Sequence, residues 1–136
     1  MLPSPETVLV QDRHAFVREY LARLPTPSTR GILFDIGAGS LPMGKDVEKA
    51  GYAWFGFDLD PQSPGVIQWD INTSFKGDQR ADMVLLMDVL EHTYNPGIAM
   101  HNVVKILKPG GRIMMTMLKP RWSRARTMRL YSGYLA

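Results

Sequence analysis

The chain contains no cysteine, which removes disulfide staples, thiolate metal sites and cysteine nucleophiles together. That absence fits a reducing, cytoplasmic setting. No apolar run approaches the roughly 18 to 20 residues of a membrane-spanning helix, so an integral membrane protein of that kind is excluded. The first ten residues hold two prolines and an acid but no basic stretch leading into an apolar one, and no signal peptide is expected. Internal repeats, low-complexity tracts and long linkers are also missing. What is present is 136 residues, 45% of them hydrophobic, enough material for one core. A single domain over 1–136 is expected, with an N-terminal helix and lead-in (1–30), a core (31–118) and a tail (119–136).

Charge is unevenly spread. Residues 1–118 carry 11 Lys and Arg against 13 Asp and Glu. Lys119, Arg121, Arg124, Arg126 and Arg129 then follow without an acid among them. The body is mildly acidic, which disfavours nucleic acid as a partner. The basic tail can meet phosphates, anionic lipid or an acidic partner surface, or it can be the solvated face of a helix.

Periodicity supplies the elements. Val17, Tyr20, Leu21 and Leu24 form one helical face over about 11–24, ended by Pro25 and Pro27. Short apolar runs at Gly31–Asp35, Ala53–Phe57, Gly65–Trp69, Asp82–Met87 and Arg112–Leu118 read as five strands. Ser40 is placed to cap a helix that runs to Ala50 and stops at Gly51. Asn95 and Pro96 open a second, whose apolar stripe is Met100, Val103, Val104 and Leu107. Strands apolar on both faces, alternating with amphipathic helices, predict an α/β doubly wound parallel sheet with helices on both faces. Ligands in such sheets sit at the carboxyl ends of the strands. The first four strands all run into an acid there: Asp35, Asp58, Asp70 and Asp88.

The Asp35-Ile-Gly37-Ala38-Gly39 loop lets backbone come close to a ligand. A dinucleotide fingerprint would need glycine at 42, where Pro42 stands. A phosphate loop would need Ser or Thr at 46, where Asp46 stands. Asp58 lies 23 residues beyond Asp35, where doubly wound folds place a carboxylate for ribose hydroxyls; an Asx turn with Pro61 and Pro64 is the plainer reading. Asp70 can accept from an adenine amino group, with the Ile71 backbone pairing at the ring.

The ordered set Asp35-x-Gly37-x-Gly39, Gly56-Phe-Asp58-Leu-Asp60, Asp70, Asp88-Val-Leu-Glu91-His92 and Leu107-Lys-Pro-Gly-Gly111 resembles the motifs of class I S-adenosylmethionine-dependent methyltransferases across residues 31–118. The resemblance implies a Rossmann-like sheet of five strands in the order 3-2-1-4-5, and S-adenosyl-L-methionine as cofactor. It implies that Gly37 and Gly39 pass near the methionine part, Asp58 holds the ribose, Leu59 packs on the adenine and Asp70 bonds its amino group. The backbone near Asp88 would receive the ammonium.

Methyl transfer to a hydroxyl gains from a base, and His92 is the candidate; a histidine that closes its loop locally is the equal alternative. Asp88, Glu91 and His92 are also similar to a Glu-x-x-Glu-His set that holds a divalent metal in some methyltransferases. Here Asp replaces the first Glu, and no metal is expected. His14 and His101 carry no assigned chemistry.

Two departures from the family pattern matter. Only Pro61–Gly65 separates Asp60 from Val66, too short for the usual crossover helix. Only 19 residues follow Met117, so the closing antiparallel strands are expected to be missing and the fifth strand to lie at an exposed edge. That edge invites a homodimer or a partner protein, with the tail contributing. The expected activity is methyl transfer to a small-molecule acceptor; the alternative is a non-catalytic S-adenosylmethionine-binding or scaffold module completed by a partner chain.

Overall fold

Strands covered on both faces should read as unbroken apolar runs, and three of the runs named above become the middle of one sheet. The computed structural model describes residues 7–10, 13–39, 43–117 and 126–132. In chain order the elements are β1 (Thr7–Val10), α1 (Arg13–Arg23), β2 (Gly31–Ile36), α2 (Gly44–Lys49), β3 (Tyr52–Asp58), β4 (Ile67–Gln68) and β5 (Ala81–Met87). A 3₁₀ turn (Leu90–His92), α3 (Pro96–Ile106), β6 (Leu107–Met117) and β7 (Arg126–Ser132) complete them. The sheet order is β1-β7-β6-β5-β2-β3-β4. The pairs β4·β3, β3·β2, β2·β5 and β5·β6 are parallel. These five strands reproduce the expected 3-2-1-4-5 order.

Period-two alternation sends successive side chains to opposite faces. Leu33, Met83, Leu85 and Met114 pack with Val17 and Leu21 of α1 and Val47 of α2. Phe34, Ile36, Val84, Leu86, Ile113 and Met115 face the other way, onto Ala99, Val103 and Ile106 of α3. The sheet is thus clad on both faces. In α3 the buried set is Ala99, Asn102, Val103 and Ile106, one position off the apolar stripe read from the sequence. Buried Asn102 is tolerated because its amide donates to the Ile71 carbonyl at 2.8 Å, meeting the rule that a buried polar group needs a partner.

Three expectations change. The third strand shrinks from Gly65–Trp69 to the exposed pair Ile67–Gln68, because Gly65 is in a turn at φ +80° and the helix-free connection leaves little chain to pair. α2 begins at Gly44 rather than at Ser40; residues 40–42 lie outside the described part.

The largest correction concerns the missing antiparallel strands and the bare edge. β7 pairs antiparallel with β6 from Arg112↔Ser132 to Met117↔Thr127, and β1 pairs antiparallel with β7. Arg126 and Arg129 therefore belong to a strand, not a solvated helix face. The β6 edge on which a dimer or partner was expected is occupied by the chain itself. Lys119, Arg121 and Arg124 lie outside the described residues. No described helix is long and apolar enough to cross a membrane.

Candidate functional site

At the carboxyl ends of the parallel strands, glycines and carboxylates are held by backbone contacts rather than by packing alone. Gly37, at φ +74°, leaves β2, and its N–H donates to the Phe57 carbonyl at 2.7 Å, with Ala38 N–H on the same oxygen at 3.0 Å. A Cβ at Gly37 would lie 2.4 Å from Val89 Cγ2, so only glycine fits between β2 and the segment after β5. Gly39 N–H donates to Asp58 Oδ2 and Asp60 N–H to Asp58 Oδ1, both at 3.0 Å. Asp58 therefore makes the Asx turn of the plainer reading and also ties the glycine loop to the end of β3. A carboxylate offers about four lone-pair sites, so two such bonds leave acceptor capacity for a diol.

Asp70 forms a matching turn, with its Oδ1 accepting from Asn72 N–H at 2.9 Å. Asp88, after β5, sits at φ +54°, the one non-glycine residue with positive φ among those described. Such a conformation costs energy and has to be held by its surroundings. Asp88 N–H is gripped by Thr116 of β6, whose hydroxyl accepts at 2.8 Å and whose carbonyl accepts at 3.1 Å.

These ends surround a cleft of about 710 Å³, within the usual range for small-ligand sites. Of the expected residues, Gly37, Asp58, Leu59, Asp70, Ile71, Asp88 and His92 line it. Asp35, Ala38, Gly39 and Glu91 do not. The alternation of β2 explains Asp35: it projects with Leu33 toward the α1 and α2 layer. There its Oδ2 accepts from Trp54 Nε1 at 3.1 Å and from Met43 N–H at 3.4 Å. Burial raises its pKa above the ordinary carboxylate value, against the opposing pull of the Trp54 and Met43 hydrogen bonds. Asp35 thus braces the loop from beneath.

The sequence reading missed Trp69, Asn72, Val89 and Tyr94, which also line the cleft. Proximity to Asp70 and His92 in the chain was the available signal. Among the described residues, no group of three His, Asp or Glu side chains is arranged to hold a metal ion, the Asp88, Glu91, His92 set included.

The sequence profile described as "Methyltransferase domain" matches residues 9–136. The chain belongs to this methyltransferase family. A comparison with curated proteins found no match. Solved structures similar to this methyltransferase domain include the glycopeptide N-methyltransferase MtfA complexed with S-adenosyl-L-homocysteine (TM-score 0.60, 16% identity, 79% of this chain and 49% of that one). An S-adenosylmethionine-dependent methyltransferase from Mesorhizobium loti aligns at TM-score 0.60 and 16% identity, over 79% of this chain and 54% of that one. A chain of the Haloferax volcanii complex containing the methyltransferase activator Trm112 aligns at TM-score 0.56 and 21% identity, over 74% and 50%. This methyltransferase domain spans about half the length of those structures, and at such identities the likeness shows the fold.

S-adenosylmethionine is the methyl donor of the class I family, and the residues present fit it. The cleft is lined by three carboxylates and, among the described residues, by no Lys or Arg. That donor set suits a ligand carrying a sulfonium and an ammonium. Gly37 itself lines the cleft, so bare backbone faces the ligand there.

Proposed function

We propose that this methyltransferase domain binds S-adenosylmethionine in the cleft at the strand ends and directs its methyl group to a small, uncharged acceptor. The observation that carries the reading is the convergence of Gly37, Asp58, Leu59, Asp70, Ile71 and Asp88 on one hollow. Asp58 accepts from the ribose hydroxyls with the lone pairs its two backbone bonds leave. Asp70 and the Ile71 backbone meet the adenine edge, while Leu59, 63% exposed, covers its face. The backbone at Asp88 receives the ammonium. Gly39 and Ala38 act by shaping the loop.

When bound, the cofactor supplies a methyl group already activated by its sulfonium. The chain's own work is then to align the acceptor, to within about 3 to 3.5 Å of the methyl, and to exclude water. His92 lines the cleft on an exposed 3₁₀ turn, with its N–H fixed to the Val89 carbonyl at 3.0 Å. Its imidazole takes the proton of an acceptor hydroxyl as general base. The anionic lining and the acidic body support an uncharged acceptor over a phosphorylated one or a nucleic acid. The lack of cysteine supports a cytoplasmic setting, and the one continuous sheet supports a single domain over 1–136.

A thermal shift tests the reading. S-adenosylmethionine or S-adenosylhomocysteine at 100 times its dissociation constant should add about 2.7 kcal/mol of stability. Asp58→Ala should abolish most of that shift at the same concentration. Absence of any shift with the unaltered protein sinks the proposal. The second reading, a non-catalytic or partner-completed module, draws on the Trm112-containing complex among the similar structures; cofactor binding without turnover for any acceptor would favour it.

A further inference from the structure

Tyr94 is 97% exposed, yet it lines the cleft beside His92. Nearly complete exposure of a large ring is ordinary on a loose loop, but this loop is not loose. On one side, Thr93 donates to the Leu90 carbonyl through its N–H at 3.2 Å and its hydroxyl at 3.0 Å. On the other, Asn95 is held by Asn72: the Asn72 amide donates to the Asn95 carbonyl at 2.7 Å, and Asn95 N–H donates to Asn72 Oδ1 at 3.3 Å. Asn95 also caps α3, its Oδ1 accepting from Ile98 N–H at 3.1 Å. The backbone is pinned on both sides of a ring left in water.

Thr93, between His92 and Tyr94, is extended (φ −82°, ψ 149°). His92 and Tyr94 both line the cleft, so one ligand can meet the imidazole and the phenol ring together. Lys and Arg are missing from the described lining, so an anion finds no counter-charge. A preorganised aromatic face adjoining a base is suited to a flat ring with a hydroxyl at its edge.

We propose that Tyr94 is an acceptor-recognition residue and that the acceptor is an uncharged aromatic ring carrying the hydroxyl to be methylated. This rests on the cofactor reading above. The ring lies against Tyr94 and presents its hydroxyl to His92. The oxygen bonds to the methyl carbon as the carbon–sulfur bond breaks. The bonding pair leaves with sulfur, giving S-adenosylhomocysteine, and the hydroxyl proton passes to the imidazole.

The test measures binding of 2-naphthol, by its own fluorescence, to protein saturated with S-adenosylhomocysteine. Decahydro-2-naphthol, which keeps the hydroxyl but not the flat ring, serves as competitor. Saturable 2-naphthol binding is expected, weakened about tenfold by Tyr94→Ala, in keeping with a lost aromatic contact, and within about twofold of unaltered for Tyr94→Phe. S-adenosylhomocysteine affinity is read by calorimetry for all three proteins, so that 2-naphthol binding is compared at equal cofactor saturation. The competitor should bind at least about tenfold more weakly than 2-naphthol. Equal binding of the flat and saturated compounds, equal binding by the Ala variant, or no 2-naphthol binding to the loaded protein overturns the inference alone. Failure of S-adenosylhomocysteine to bind overturns the cofactor reading, and the inference with it.

Discussion

Glycine 37 and glycine 65 both hold positive φ, at +74° and +80°, but in different surroundings. A Cβ at Gly37 meets Val89 at 2.4 Å, whereas at Gly65 nothing lies within 4 Å. Gly65→Ala should therefore cost only the backbone term, about 1 kcal/mol. Gly37→Ala should cost roughly 2 to 4 kcal/mol, since overpacking adds to it, and should impair cofactor binding as Val89 is displaced. Denaturant unfolding of both variants checks the contrast; equal costs would mean that the close approach of the two segments is relaxed in solution. Asp35 makes a second prediction. Its folded pKa is raised, so between the ordinary carboxylate range and that raised value the folded state holds more protons than the unfolded one. Its contribution is present below the ordinary pKa and is lost as pH rises through the folded pKa. Asp35→Asn, which can still accept from Trp54, should flatten that part of the Tm–pH profile; an unchanged slope would assign it elsewhere. The acid at 35 was legible in the sequence as a strand-end carboxylate. Its direction was not, because the side it faces depends on the pleat of β2 against Trp54.

At the scale of elements, the parallel core could be read because its strands are buried on both faces and so depart sharply from their flanks. Asn95 and Pro96 were readable for a local reason, a cap and a first turn, and Asn95 does accept from Ile98 N–H. β1 and β7 could not be read that way. Thr7–Val10 is only four residues long, and the Arg126–Ser132 strand carries two arginines; short, mixed strands resemble loops until a neighbour supplies their hydrogen bonds. β6 is where the two kinds of pairing meet, parallel to β5 and antiparallel to β7. Through Thr116 it also holds the strained Asp88 at the end of β5. Thr116→Val keeps the shape but removes one acceptor. It should lower stability by about 1 kcal/mol and weaken S-adenosylhomocysteine several-fold, because Asp88 is then less firmly held. Calorimetry and thermal melts separate the two effects, and a stability loss with unchanged affinity would detach Asp88 from the cofactor.

For the whole molecule, the two ends of the sheet are unlike. One is built outward by two antiparallel strands; the other stops at two exposed residues, Ile67 and Gln68, with no helix in the connection before them. The cleft was legible in part as acids after successive strands: Asp58, Asp70 and Asp88 line it, because strand order brings those ends side by side, whereas Asp35 turns into the layer beneath. The cleft's outer wall was not, because Asn72 and Tyr94 act through the fastening of two loops that the chain separates by more than 20 residues. Beyond β4 the cleft rim at residues 69–72 is held by hydrogen bonds that include those of Trp69, Asn72 and Asn102. Few ladder bonds secure such a rim, so amide deuterium exchange should be fastest there among the cleft walls and should slow most when S-adenosylhomocysteine occupies it. On the proposed placement, a bound nucleobase would lie against this sparsely bonded rim, and occupancy of the site would become part of what keeps that flank closed.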